Sequence, residues 1–158
     1  MNVREYDMYV NEYRIPYLAA VGDTMVTDDE QYNSPQKIAD IIRLLYKVDI
    51  LPEEHIWMLA FDTRMHMIGI FELSRGSSNQ STVSINQILQ RALLCGATCV
   101  VLVHNHPSGD PNPSREDIDL TECVKKAMNI CGIEFTDHII IGGANKRNHY
   151  SFRDSEMM

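Results

Sequence analysis

Residues 104 to 117 read His-Asn-His-Pro-Ser-Gly-Asp-Pro-Asn-Pro-Ser-Arg-Glu-Asp, a concentration of imidazole, hydroxyl and carboxylate groups without equal elsewhere in the chain. The pattern is H-x-H, a seven-residue spacer, then S-x-x-D. Residues two apart in an extended segment project to the same side, so His104 and His106 can converge on one point. Residues three apart on a helix share a face, which sends Ser114 and Asp117 the same way from a first helical turn. Two neutral imidazoles and one carboxylate suit zinc, and three protein ligands leave a fourth tetrahedral position for water. An open position of that kind separates a catalytic site from a structural one.

Each half of the pattern has a plainer explanation. S-x-x-D is an ordinary helix cap, and two histidines at a strand end can be surface residues. Joined by a loop stiffened by Pro107, Pro111 and Pro113, they point instead to metal held by His104, His106 and Asp117. Ser114 has two roles open to it, capping the helix or aiming its hydroxyl into the site. Zinc lowers the pKa of its water to about 7, but a base must still carry the proton to the leaving group. Glu53, Glu54, Glu72 and Glu116 are the candidates. Glu116 faces away from its neighbour Asp117 on a helix; spacing alone does not choose among the other three.

Elements that would position these groups are legible on either side. A helix is expected from Ser34-Pro35 to about Lys47, because serine caps, proline suits the first position, and Ile38, Ile41, Ile42 and Leu45 recur on one face. Ile56 to Phe61 and Met67 to Leu73 are apolar runs around the polar turn Asp62-Thr63-Arg64, a β-hairpin. Ser84 and Gln87 have capping-box spacing ahead of a helix that runs to about Leu94 and closes at Gly96. Thr98 to Val103 is β-branched and apolar throughout, as a central strand would be, and delivers the chain to His104. Ser114 opens a third helix carrying Ile118, Leu120, Val124 and Met128, ended by Gly132. Ile133 to Ile141 is a further strand, Gly142-Gly143 a turn, and Tyr150 to Phe152 a last edge strand. Strands interleaved with helices make an α/β sandwich of two or three layers. Residues 1 to 33 form an arm with neither clean alternation nor a helical stripe.

Bulk properties narrow the class. At 158 residues and 44% hydrophobic content, the chain fits one globular domain with a real core. The lack of a long apolar run, and of an apolar segment near Met1, predicts a soluble, cytoplasmic protein without membrane association. Cys95, Cys99, Cys123 and Cys131 show no Cys-x-x-Cys spacing and fall inside elements, so buried reduced thiols are expected. A formal charge of −8 opposes broad attraction to phosphate backbones.

The full stretch H-x-H-P-S-G-D-P-x-P-S-x-x-D resembles the signature of RadC-like proteins, a bacterial branch of the JAMM/MPN metalloprotease fold. The resemblance extends from about Ser34 to Asp154, through LAFDTRMHMIG, ALLCGATCVVLV and DHIIIG. It implies a mixed β-sheet flanked by helices in a cytidine-deaminase-like three-layer architecture, residues 34–158 as the domain, bound zinc, and hydrolysis of a peptide or isopeptide bond. It also implies that the catalytic glutamate falls on Glu54, with Glu53 in reserve and Glu72 behind it, and that Ser114 supports the developing oxyanion. The arm does not resemble the helix-hairpin-helix domain of longer RadC proteins. Three functions thus compete: a zinc hydrolase acting on a peptide or protein substrate, a DNA-repair accessory protein, and a non-catalytic MPN scaffold. The charge disfavours the second, so that DNA binding is expected to be weak or absent, and the intact ligand set disfavours the third; a homodimer is the self-association considered.

Among other residues, Asp137-His138 could orient a ligating imidazole from behind, and Asn105 should face away from the site in a structural hydrogen bond. His55, His66 and His149 are expected to be solvated or locally bonded, and Trp57 to lie in the core. Ser74 to Ser81 reads as a surface loop that would otherwise line a substrate path.

Overall fold

The computed structural model describes residues 2–25, 32, 34–76, 83–143 and 148–158. The hairpin expected around Asp62 is present: β3 (Glu54–Phe61) turns into β4 (Met67–Gly76) while Asp62 Oδ1 accepts the N–H groups of Arg64 and His66 at 2.8 and 2.9 Å. Strand β5 (Cys99–Asn105) is buried at every position and pairs antiparallel with β3. It pairs parallel with β6 (Glu134–Ile141), which it reaches through helix α3 (Arg115–Ile130), and β7 (His149–Ser151) closes that edge.

Helix α1 (Pro35–Tyr46) covers one face of the sheet. Ser34 caps it, Pro35 opens it, and Lys47 ends it in the left-handed region at φ 51°. Its Ile38 and Ile42 pack on Trp57, Leu59, Val101 and Ile139. Helices α2 (Ile85–Leu94) and α3 cover the other face, where Ile88, Val124 and Met128 meet Met58, Phe71, Val100 and Leu102. The result is a three-layer α/β fold with a mixed seven-stranded sheet, in agreement with the expected JAMM/MPN architecture. Each large apolar side chain buried this way contributes about 1.5–3 kcal/mol.

Four points differ from the sequence expectations. First, the N-terminal residues hold strands: β1 (Asn2–Val10) and β2 (Pro16–Met25) form an antiparallel hairpin, and β1 lies parallel to β4 with Glu5 opposite Ile70. A register shift between Glu5 and Tyr6 interrupts the two-residue period, and Tyr9, Tyr13 and Tyr17 are exposed, so no alternation survives in the sequence. The sheet order is β2-β1-β4-β3-β5-β6-β7. Second, Ser84 precedes α2, but its exposed side chain makes no capping bond among the described residues. Third, the buried stripe of α3 is Asp117, Thr121, Val124 and Met128, and Ile118 and Leu120 are only half-buried. Fourth, that orientation exposes Cys123, and Cys131 beyond the helix end is exposed too, so only Cys99 is buried and Cys95 half-buried; all four are free thiols. Residues 77–81 of the polar loop lie outside the described residues. No described helix is long and apolar enough to cross a membrane.

Candidate metal centre

The carboxyl end of β5 meets the amino end of α3 at the sequence motif. His104 lies opposite Ile56 of β3, which places its side chain on the face covered by α2 and α3. His106 follows two residues on, and Asp117 comes from the first turn of α3. The intervening loop is pinned as well as stiff. His106 N–H donates to Ile141 O at 2.9 Å, and Gly143 N–H and Asn148 Nδ2 donate to Gly109 O at 3.0 and 2.7 Å. Gly109 has φ +84°, and a side chain at Gly142 would collide with Gly109 O at 2.5 Å, so both positions require glycine.

The three side chains converge. His104 Nε2 and His106 Nε2 are 3.0 Å apart, His104 Nε2 lies 3.1 Å from Asp117 Oδ1, and His106 Nε2 lies 3.4 Å from Asp117 Oδ2. Their hydrogen bonds decide where the ring protons sit. His106 Nδ1 is 2.8 Å from the carbonyl of Asp110, which only accepts, so Nδ1 carries the proton and a neutral ring leaves Nε2 bare. His104 Nδ1 is 2.9 Å from His138 Nε2, and His138 Nδ1 is 2.7 Å from Thr121 Oγ1. Burial pushes His138 well below the ordinary histidine range, which favours its neutral ring. Ser114 caps α3 by accepting Asp117 N–H at 3.1 Å, and its hydroxyl donates to Asp117 Oδ2 at 2.6 Å. Its own N–H donates to the same oxygen at 2.7 Å.

Two imidazole Nε2 atoms, which carry lone pairs in neutral rings protonated at Nδ1, and a carboxylate thus face one another within 4.8 Å. Such a set is repulsive unless a cation joins it. Ligands about 2.0–2.1 Å from a tetrahedral ion stand roughly 3.3 Å apart, which the separations of 3.0, 3.1 and 3.4 Å bracket. The donor set and spacing fit a metal ion. Burial would raise Asp117, but its contacts with His104, His106 and the Ser114 hydroxyl hold its carboxyl well below the usual range, so it meets the imidazoles as a carboxylate. Burial likewise opposes charge on His106, yet Asp117, the Asp110 carbonyl and Glu54 together raise it.

A family model for the RadC-like JAB domain matches residues 32–157 of this chain. The chain belongs to that family. It is 41% identical over 110 residues to a UPF0758 protein of Desulfitobacterium hafniense, covering 70% of this chain and 48% of the relative. A UPF0758 protein of Coprothermobacter proteolyticus is 42% identical over 106 residues, 67% of this chain and 44% of its own length. One from Geotalea uraniireducens is 36% identical over 129 residues, with 82% and 54% covered. The RadC-like chain therefore spans about half the length of the curated relatives it matches.

Within this RadC-like domain, the four glutamates part company. Glu72 stands opposite Trp57 and pairs with His55 at 2.6 Å, on the α1 face of the sheet. Glu53 pairs with Arg75 at 3.2 Å, and Arg75 is the cross-strand partner of His55 on that same face. Glu116 is exposed. Glu54, two residues before Ile56 on β3, is aligned with the α3 face, and its charge acts on His106. Asn105, between the histidines, faces away as expected and grips the residues around Glu54: its Oδ1 accepts His55 N–H at 2.8 Å and its Nδ2 donates to Glu53 O at 3.0 Å.

The role of Thr121 and the partners of Asn105 were not foreseen. Thr121 reads as a helix-interior threonine, and only its spacing of four from Asp117 could have flagged it. The grip of Asn105 joins positions some fifty residues apart, which no local pattern reveals. His138 lies behind His104, whereas Asp137 turns to Ser151 and Arg153: it accepts Ser151 Oγ–H at 2.6 Å and Arg153 N–H at 3.0 Å. Those bonds fix the C-terminal turn that stacks Phe152 on the His138 ring at 5.0 Å. His66 is bonded locally to Asp62, His55 is buried, and Trp57 is fully buried.

Proposed function

We propose that this RadC-like domain is a zinc-dependent hydrolase that cleaves an amide bond in a peptide or protein substrate. The observation that carries the reading is the convergence of the Nε2 atoms of His104 and His106 and the Asp117 carboxylate on the sheet face with which Glu54, alone of the candidate bases, is aligned. His104, His106 and Asp117 would hold the ion. When bound, zinc supplies a Lewis acid with one tetrahedral position open to water. Glu54 accepts a proton on its carboxylate from the attacking water and returns it to the leaving amine. Ser114 supports the oxyanion by turning its hydroxyl from Asp117 Oδ2, which keeps the Ser114 N–H bond meanwhile. Asn105 keeps the Glu54 backbone in place throughout.

The test is incubation of the zinc-loaded protein with defined peptides, an isopeptide-linked substrate and duplex DNA, with and without chelator. Chelator-sensitive cleavage of an amide substrate is expected, with Glu54→Gln retaining zinc while losing about 100-fold to 10,000-fold in rate. DNA should bind weakly and release as salt rises, given the charge of −8. If zinc-loaded protein cleaves no amide bond, the hydrolase reading fails and the scaffold reading replaces it; tight, salt-resistant DNA binding would favour the repair reading.

A further inference from the structure

Thr121 sits one helical turn beyond Asp117, is almost fully buried, and touches two groups that constrain it. Its Oγ1 is 2.7 Å from Asp117 O and 2.7 Å from His138 Nδ1. A hydroxyl has one proton to give. The Asp117 carbonyl has none, so at that distance it must receive the threonine proton. Thr121 Oγ1 then has only lone pairs for His138, and His138 Nδ1 must carry a proton. With the His138 ring neutral, its Nε2 is bare and accepts from His104 Nδ1 at 2.9 Å. The neutral form of His104 is then left with a bare Nε2 pointing at His106 and Asp117.

We propose that Thr121 is a positioning residue that selects the tautomer of His104 through His138, fixing the lone pair at His104 Nε2 before any ion arrives. The order of protons starts at the main chain of one ligand, Asp117, and ends at the ring of another, His104. The fold supports this order at each step. Thr121, His138 and His104 are all buried away from bulk water, and Phe152 stacks on the His138 ring at 5.0 Å. Valine in place of Thr121 would preserve the shape while removing both hydrogen bonds. The purpose of the relay rests on the metal reading above, but the tautomer itself is a property of the metal-free protein.

The experiment is nuclear magnetic resonance of the metal-free protein with ¹⁵N-labelled histidine, above the pH at which histidines titrate, combined with zinc affinity measured by competition with a chelating dye. Wild type should show His104 and His138 protonated at Nδ1, and Thr121→Ser should match it. Thr121→Val should lose the single Nδ1-protonated form of His138 and His104 and bind zinc about 10-fold to 100-fold more weakly. A wild-type His104 protonated at Nε2 overturns the proposal without any variant having to fold. So does a folded Thr121→Val that keeps both the wild-type tautomers and the wild-type affinity. Wild type with the expected tautomers but no zinc uptake would sustain the relay while removing the metal reading, which separates the two failures.

Discussion

Two histidine–carboxylate clusters lie on opposite faces of the same sheet, and they are built to different ends. On the α1 face, His55 is buried, stacks on Trp57 at 5.3 Å and gives one proton to Glu72 at 2.6 Å. One donor meets one acceptor and the pair is complete. On the α3 face, the outer nitrogen protons of His104 and His106 are committed to His138 and Asp110, so the inner nitrogens and Asp117 meet as acceptors only. The residue types are alike, and the difference is where the protons are spent. A candidate metal site is marked here by a polar cluster whose hydrogen bonds cannot close among themselves, whereas a closed pair of the same chemistry reads as structural.

The sharpest way to break this comparison is to remove a histidine or carboxylate from each cluster. His104→Ala or Asp117→Ala should lower zinc content from about one per chain to near none, because two remaining ligands hold the ion poorly. His55→Leu should leave metal content unchanged. Elemental analysis after dialysis decides it, and equal zinc in all variants would make the two clusters equivalent. The next effect concerns the glutamates: once a cleavable substrate is in hand, Glu72→Gln and Glu53→Gln should stay within about threefold of wild type, far from the loss expected of a general base. Either of them abolishing cleavage while Glu54→Gln does not would reverse the assignment of faces.

Asn105 links the two faces, since it bonds on either side of Glu54. Asn105→Ala leaves the buried His55 N–H and the Glu53 carbonyl unpaired and should cost about 2–3 kcal/mol, read from urea unfolding, with zinc still bound. A cost below about 0.5 kcal/mol would mean that water or a shift of β3 replaces those bonds. Smaller still is the His55–Glu72 pair: because Glu72 is about half exposed, His55→Leu should cost about 1 kcal/mol or less.

A further histidine, away from both clusters, sets a pH dependence. Burial lowers His149 from its ordinary value of 6.5, the charge of Arg43 lowers it further, and its Nδ1 has no hydrogen-bond partner among the described residues. The folded value lies below the unfolded one, so the stabilising contribution is complete above 6.5 and is withdrawn as pH falls through 6.5 toward the folded value. Thermal unfolding of the metal-free protein should therefore decline less steeply with acidification in His149→Gln than in wild type. Parallel curves would remove His149 from the account.

Much of this was open to inspection in the chain alone. The helix after Ser34, the hairpin at Asp62, the apolar strand into His104 and the convergence of the candidate ligands His104, His106 and Asp117 follow from capping chemistry, apolar periodicity and the rule that strand residues two apart and helix residues three apart share a side. Those are local effects, carried by neighbours in sequence. The N-terminal hairpin escaped because its register shift spoils the period and its tyrosines face solvent. The exposed side of α3 escaped because Asp117 and Thr121, polar residues, occupy positions that an apolar pattern reserves for the core. Which glutamate shares a face with the histidines, and which nitrogen of each histidine is bare, were decided only by the fold. Both depend on pairing across strands and on hydrogen bonds between β5, β6 and α3, and a proton goes to whichever acceptor the tertiary structure brings within reach.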